Sequence, residues 1–170
     1  MKGAFLTDDC KKFLHDADAM GMLSHTKKIA DVESGDYDVL YLTGGHGCCV
    51  DFINNGDVKS AVETTHSSGK ILATVCHGAI ALADCCKPDG TTPLVKDLKV
   101  TGFSDAEEAM VQLTEVVPFL VESRFSEQGA KYEKAEAAWG SHVCVDGKLI
   151  TGQNPGSSLA TAEKVLELLA

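Results

Sequence analysis

A cysteine followed directly by a histidine stands in the segment Ile71-Leu-Ala-Thr-Val-Cys-His-Gly78. The pattern predicts that a buried strand ends at Cys76 and that a helix begins just after it. The thiol then lies at the carboxyl edge of the sheet, where open α/β folds place their sites. The helix dipole and a neighbouring imidazolium would favour the thiolate, and Gly78 permits the sharp turn that exposes a nucleophile. The alternative is a buried structural cysteine.

A glycine-rich segment, Gly44-Gly-His-Gly47, follows the other strongly apolar strand pattern, residues 36–43. Glycines at this point leave backbone N–H groups free to face a ligand. The N–H of Gly45, together with the N–H of His77, is therefore a candidate oxyanion hole. Taken alone, this glycine segment would be a plain turn. The glycine segment and the Cys76 segment both follow strands of the parallel type, and the carboxyl ends of such strands lie at the same edge of a sheet. We therefore expect the two segments to be neighbours in space.

Acidic residues open the helix that is predicted after Ser104. Ser104 with Glu107 three positions later is a capping box. From the residues alone, Asp105, Glu107 and Glu108 are a solvated acidic helix start, which the helix dipole favours.

The remaining cysteines and aromatic residues carry weaker signals. The chain has seven cysteines, an odd count, and the pairs Cys48-Cys49 and Cys85-Cys86 fit no usual zinc spacing. We therefore expect free thiols in the reducing cytoplasm, with no metal and no cofactor. Trp139 and Tyr132 are predicted to pack or to line a pocket, and His142 is predicted to be structural.

Composition narrows the class of partner. The chain has 170 residues, which suggests one domain over 1–170, and its hydrophobic content of 44% is ordinary for a globular protein. A net charge of −10 disfavours nucleic acid and anionic membranes as partners. We expect no signal peptide, and the most apolar run, residues 71–86, is too short for a membrane span.

The order of the predicted elements indicates an α/β fold with a mainly parallel sheet and helices in layers. Helices are predicted over residues 8–23, 57–68, 77–84, 104–116 and 156–170, and strands over 36–43, 70–75 and 99–103. Residues 142–151 are predicted to form a hairpin with a type I′ turn at Asp146-Gly147. The last helix is predicted to bury one face, formed by Leu159, Ala162, Val165, Leu166 and Leu169.

Taken together, the motifs resemble the ThiJ/PfpI superfamily, which has a class I glutamine amidotransferase-like fold. The nearest branch is the heat-shock-inducible glyoxalase III and holding-chaperone proteins. The resemblance covers nearly the whole chain from about residue 8. It is carried by Asp38-Val-Leu-Tyr-Leu-Thr-Gly-Gly-His-Gly47, Ala73-Thr-Val-Cys-His-Gly78, Val100-Thr-Gly-Phe103 and Leu149-Ile-Thr-Gly-Gln-Asn-Pro-Gly-Ser157.

The resemblance implies a flavodoxin-like three-layer sandwich and a set of catalytic residues. Cys76 matches the nucleophile, His77 its imidazole partner and Glu108 the acidic residue that orients the histidine, with Glu107 and Asp105 as competitors. The implied activity is conversion of methylglyoxal, or a related 2-oxoaldehyde, to D-lactate without glutathione. A homodimer is expected.

Two alternatives stay open at this point. One is a non-catalytic holding chaperone or redox-responsive protein that binds unfolded clients. The other is a cysteine amidase or peptidase of the same superfamily. A glutamine amidotransferase fits less well, because its histidine normally lies far downstream of the cysteine.

This sequence differs from the family pattern at its N-terminal end. Family members begin with a further strand–helix–strand section, whose helix carries a glutamate that hydrogen-bonds the cysteine. We expect the chain to be shortened by this section, since Glu33, the nearest acidic residue before the glycine motif, has no matching context. Either a partner chain would then cover the exposed sheet, or the sequence is a truncated version of a longer protein.

Overall fold

A computed structural model describes residues 6–170, and its contacts divide the chain into two units, with the boundary between Val32 and Glu33. The first unit contains α1 (Asp8–His15) and α2 (Ala17–Ser24), where one continuous helix was predicted. The break is at Asp16, whose side chain accepts a hydrogen bond from the N–H of Ala19 and caps α2. One domain over 1–170 stays a prediction. No helix within residues 6–170 is long and apolar enough to cross a membrane.

The second unit is built on a four-stranded sheet with the strand order β1-β2-β6-β5. β1, β2 and β6 are parallel, and β5 runs antiparallel to β6. A separate parallel ribbon joins β3 and β4. The strands are β1 (Val39–Leu42), β2 (Ile71–Val75), β3 (Lys99–Val100), β4 (Lys131–Tyr132), β5 (Val143–Asp146) and β6 (Leu149–Gly152).

Helices alternate with these strands along the chain, as the sequence pattern predicts. They are α3 (Cys48–Asp51), α4 (Gly56–Ser67), α5 (Asp105–Met110), α6 (Val121–Glu127) and α7 (Ser158–Leu169). The helix predicted after β2 is a 3₁₀-helix, Cys76–Asp84, and it begins on the cysteine itself. α5 ends earlier than predicted, at Met110, and residues 111–117 are not helical.

Helical layers cover both faces of the sheet. Ile71 and Ala73 of β2 form a cluster with Ile150 of β6 and Val165 of α7. Side chains alternate along a strand, so Leu72 points to the opposite face, where it is fully buried as well. The predicted α/β class, with a mainly parallel sheet between helical layers, is confirmed.

Two local predictions are wrong. In the hairpin, Asp146 pairs with Leu149, so the turn residues are Gly147 and Lys148. Of these two only Gly147, at φ 58°, has a positive φ, which fits a type II′ turn and not the predicted type I′.

The second wrong prediction concerns the buried face of α7. The helix buries Thr161 and Val165. Leu159 and Leu166 are 72% and 66% exposed. Apolar spacing alone could not show that the core accepts a threonine, whose hydroxyl donates to the carbonyl of Ser157.

The carboxyl ends of β1 and β2 approach each other closely at two glycines. A Cβ on Gly78 would overlap the carbonyl oxygen of Leu42, and a Cβ on Gly44 would lie 2.7 Å from the Cβ of Cys76. Both separations are too short for real carbon atoms, so only glycine fits at these positions. This contact confirms that the two sequence motifs are neighbours in space.

We expect Gly78→Ala to destabilise the fold, because the added methyl group must displace the backbone at the end of β1. The expected loss in the free energy of unfolding is about 2 kcal/mol or more, as for other overpacked sites. Urea unfolding measures it. Gly56→Ala is the matched control, since nothing lies within 4 Å of its Cβ position at the start of α4. Equal stability of the two variants would contradict the close approach.

Candidate active site

Cys76 lies at a strained turn between β2 and the 3₁₀-helix. Its φ of 58° is in the left-handed region, which a residue with a Cβ rarely adopts. The strand before it is buried along its whole length, and the glycines of the two motifs allow the turn to sit against β1. Only 7% of Cys76 is exposed. The local geometry is the strand-to-helix elbow that the sequence predicts.

His77 connects the thiol of Cys76 to the carboxylate of Glu108. The Sγ of Cys76 lies 3.6 Å from Nδ1 of His77, and Nε2 of His77 lies 2.6 Å from Oε2 of Glu108. Both His77 and Glu108 are buried. A carboxylate at Nε2 selects the tautomer that carries its hydrogen there. Nδ1 then faces the thiol as an acceptor.

Backbone donors also converge on the sulfur. Burial raises the pKa of Cys76 to about 11. Hydrogen bonds from the N–H groups of His77 and Gly45 lower this pKa, but by less than burial raises it. These are the two N–H groups that the sequence analysis assigns to an oxyanion hole. An oxygen bonded next to the sulfur would lie within reach of the same pair.

The resting charge state of the pair differs from the sequence expectation. Burial lowers the pKa of His77, an effect that the hydrogen bond to Glu108 opposes without cancelling. With the pKa of Cys76 raised, the pair rests as a neutral thiol and a neutral imidazole. This differs from the expected thiolate beside an imidazolium, because burial raises the pKa of the thiol by more than the N–H groups of His77 and Gly45 lower it.

A second histidine, His46, binds the same carboxylate. Its Nε2 lies 2.8 Å from Oε1 of Glu108, and its ring centroid lies 4.0 Å from that of His77. The side chain of His46 is 37% exposed, so it connects the buried pair to solvent. In the sequence, His46 is part of the glycine-rich segment Gly44-Gly-His-Gly47, and no role was assigned to its side chain. Its place at the end of β1, next to the end of β2, is the signal that could have found it.

An aromatic wall packs against the two histidines. The ring of Phe103 lies 4.5 Å from His77 and 5.8 Å from His46, measured between centroids. Trp139 packs edge-on against Phe103 at 5.6 Å. This agrees with the predicted packing role of Trp139. Phe103 is itself buried, so its ring contributes to the burial of His77.

The three acidic residues at the start of α5 have three separate sets of contacts. Glu108 faces the histidines, whereas Asp105 accepts a hydrogen bond of 2.5 Å from the hydroxyl of Ser123. Glu107 is fully buried and closes the predicted capping box with Ser104. Of the three, it is Glu108 that lies against His77.

Glu107 joins three segments of the chain: the start of α5, the segment at Trp139 and the segment Gln153-Asn154. Its carboxylate accepts hydrogen bonds from Ser104, from the N–H of Trp139, and from the side-chain amides of Gln153 and Asn154. Burial raises its pKa, but the hydrogen bonds outweigh burial and hold the pKa below its ordinary value. Glu107 therefore positions the loop that carries Trp139.

Three side chains at this site are of types that can bind a metal cation. His46, His77 and Glu108 each offer a donor atom, and these atoms lie within 4.8 Å of one another. The separations of 2.6 and 2.8 Å between histidine nitrogens and carboxylate oxygens are hydrogen-bond lengths. The cluster is therefore satisfied without an ion.

Known proteins resemble this chain over most of its length. The model of the DJ-1/PfpI family matches residues 17–168. Glyoxalase 3 of Candida albicans is 31% identical over 85% of this chain and 63% of its own length. The glutathione-independent glyoxalase HSP31 of Saccharomyces cerevisiae is 27% identical over 91% of this chain and 67% of its own length. The chain thus spans less than two thirds of the Candida relative.

Solved structures show the same fold. The crystal structure of glyoxalase III from Candida albicans has a TM-score of 0.88 at 29% identity, covering 96% of this chain and 71% of that one. The Rapid Encystment Protein 24 kDa of Francisella tularensis has a TM-score of 0.87 at 37% identity, covering 94% of this chain and 70% of that one.

We expect Glu107→Gln to cost about 3 kcal/mol of unfolding free energy at pH 7, because charged hydrogen bonds are lost in a buried network. A carboxyl group whose pKa is lowered by folding stabilises above its unfolded pKa, and this contribution is lost as the pH falls through the folded pKa. The difference between wild type and variant should therefore shrink in acid. Urea unfolding between pH 7 and 3 measures it.

Glu115→Gln is the control for this prediction, since Glu115 is exposed and the change should stay within about 0.5 kcal/mol at every pH. A Glu107→Gln deficit that does not vary with pH would contradict the ionised state assigned to Glu107.

The alkylation rate of Cys76 by iodoacetamide should rise about tenfold per pH unit from pH 7 to 10, because only the thiolate reacts and the pKa is about 11. Peptide-resolved mass spectrometry measures the rate. Protein in denaturant is the control, and there the rate should level off above the ordinary thiol pKa of about 8.5. A native rate that is already level at pH 7 would reveal a preformed thiolate.

Proposed function

The chain belongs to the DJ-1/PfpI family, and from this premise we propose that it converts methylglyoxal, or a related 2-oxoaldehyde, to D-lactate without glutathione. The observation that carries the proposal is the contact series from the Cys76 thiol through His77 to Glu108. The names of the relatives from Candida and Saccharomyces favour the same chemistry. Since the chain spans 63% of the Candida relative, the activity is assigned here as a proposal.

The first step is attack of the sulfur on the aldehyde carbon. As the C–S bond forms, Nδ1 of His77 takes the thiol proton, and the carboxylate of Glu108 stabilises the imidazolium that results. The aldehyde oxygen becomes negative, and the N–H groups of Gly45 and His77 hold it. Proton transfer to that oxygen completes a hemithioacetal, with no net change in charge.

The second step moves a proton between the two carbons of the substrate. Removal of the proton on the sulfur-bearing carbon gives an enediol, and return of a proton to the neighbouring carbon gives a thioester of 2-hydroxypropanoate. His77 is the base nearest the sulfur. Water then cleaves the thioester, which releases D-lactate and restores the thiol.

The tight surroundings of Cys76 favour a small substrate. The sulfur lies 3.4 Å from the Cβ position of Gly44, and the residue is 7% exposed. A three-carbon aldehyde suits such a site better than a peptide does, so the amidase or peptidase alternative is disfavoured. The names of the curated relatives do not favour the holding-chaperone alternative.

Partners and location are part of the proposal. A homodimer is supported by the position of β1 at the edge of the sheet, since edge strands are where a second chain can add to a sheet. A cytoplasmic location is supported by seven cysteines in a chain whose residues 6–170 contain no disulfide.

Replacing the nucleophile tests the proposal. With methylglyoxal and no glutathione, Cys76→Ala should lower the rate of D-lactate formation about 10³-fold or more, since covalent catalysis is lost. Glu108→Gln should lower kcat about 10²- to 10⁴-fold, because the imidazolium loses its counter-charge. Stereospecific enzymatic assay of D-lactate measures both.

Cys86→Ser is the matched control, because this half-buried thiol lies away from the site, beside Glu63. Its rate should equal that of the wild type. Full activity in Cys76→Ala would overturn the proposal. If client aggregation were suppressed equally by wild type and Cys76→Ala, while no D-lactate formed, the holding chaperone would be the correct function.

A further inference from the structure

A second cluster of donor side chains lies outside the candidate active site. It consists of Glu133, His142 and Cys144, whose donor atoms lie within 4.8 Å of one another. Cys144 is a buried residue of β5, and His142 stands two positions earlier, so both side chains point to the same side of the sheet. Glu133 directly follows β4.

The distances in this cluster are long enough to admit a cation between the donor atoms, although the thiol can also form sulfur hydrogen bonds at these lengths. The Sγ of Cys144 lies 3.5 Å from Nε2 of His142 and 3.9 Å from Oε2 of Glu133. In a tetrahedral zinc site, metal–ligand bonds of about 2.0–2.3 Å place neighbouring ligand atoms about 3.6 Å apart. The histidine–carboxylate separations in the active site, 2.6 and 2.8 Å, are too short for such an arrangement.

We propose that Glu133, His142 and Cys144 form a binding site for a borderline-soft divalent cation of the zinc class. Sulfur, imidazole nitrogen and carboxylate oxygen are the ligand types that Zn²⁺ takes in proteins. The side chain of Glu133 is 46% exposed, so the fourth position opens to solvent and is filled by water. The site is independent of the proposed aldehyde chemistry.

Cation binding is coupled to loss of the thiol proton. Cys144 is a buried residue whose Sγ lies 3.9 Å from the carboxylate of Glu133, and the ammonium group of Lys99 lies 3.7 Å from that carboxylate. Binding forms a metal–sulfur bond, breaks the S–H bond and releases one proton to the buffer.

The position of the cluster connects it to the aromatic wall. Glu133 and His142 are the two ends of a segment that carries Trp139, and Trp139 contacts both Glu107 and Phe103. A cation that binds both ends closes this segment into a loop and lowers its conformational freedom. Cation binding should therefore restrict Trp139, the only tryptophan of the chain.

Titration of metal-free protein with Zn²⁺ and Co²⁺ tests the proposal. Wild type should bind one equivalent at this site, with thiolate-to-cobalt charge transfer, tetrahedral cobalt absorption and a change in Trp139 fluorescence. Cys144→Ser should abolish these signals, and Glu133→Gln and His142→Gln should each weaken binding at least about 100-fold, more than residues that only orient ligands do.

Controls separate this site from the other thiols. Cys76→Ser and Cys86→Ser should each leave the Trp139 response and the cobalt spectrum unchanged. Glu133 is exposed, so the metal-free Glu133→Gln variant should unfold at the same midpoint as metal-free wild type. This variant therefore tests the site even if Cys144→Ser fails to fold. Absence of binding in wild type, or binding that survives Glu133→Gln and is lost in Cys76→Ser, would overturn the proposal. Neither result bears on D-lactate formation.

Discussion

The close approach of β1 and β2 at their carboxyl ends is the constraint on which the candidate site depends. Gly78 leaves no room for a Cβ against the carbonyl of Leu42, and Gly44 leaves none against Cys76. With the two ends in contact, Cys76 is held at a positive φ and its sulfur receives N–H groups from both motifs. Strain of this kind persists only where the surrounding structure enforces it.

Burial sets the chemical state of the site. It raises the pKa of Cys76 and lowers that of His77, so the resting pair is neutral and charge develops only as a substrate reacts. The carboxylate of Glu108 lies where the imidazolium would need a counter-charge. His46 shares that carboxylate and its side chain is 37% exposed, so the hydrogen-bond network of the buried pair extends to solvent.

The segment that carries Trp139 is anchored by Glu107 and bordered by the second cluster of donor side chains. Glu107 anchors it from inside, through the N–H of Trp139 and through the side chains of Gln153 and Asn154. The Glu133–His142–Cys144 cluster lies at its two ends. A proposed cation at that cluster would add a second anchor to a loop that already borders the aromatic wall.

Much of this arrangement follows from the sequence, because short-range patterns report strands, caps and turns. Strand β2, the turn at Cys76, the capping box at Ser104 and the adjacency of the two glycine-containing motifs were all predicted from local residues. Resemblance to a family was needed to prefer Glu108 over Glu107 and Asp105, since three acids at one helix start are equivalent in a local pattern. Only the tertiary structure showed that the carboxylate of Glu108 contacts both His77 and His46. It also showed that burial keeps Cys76 and His77 neutral, and that the side chains of residues 133, 142 and 144 lie close together. These outcomes depend on contacts between residues distant in the chain, and residue spacing carries no information about such contacts.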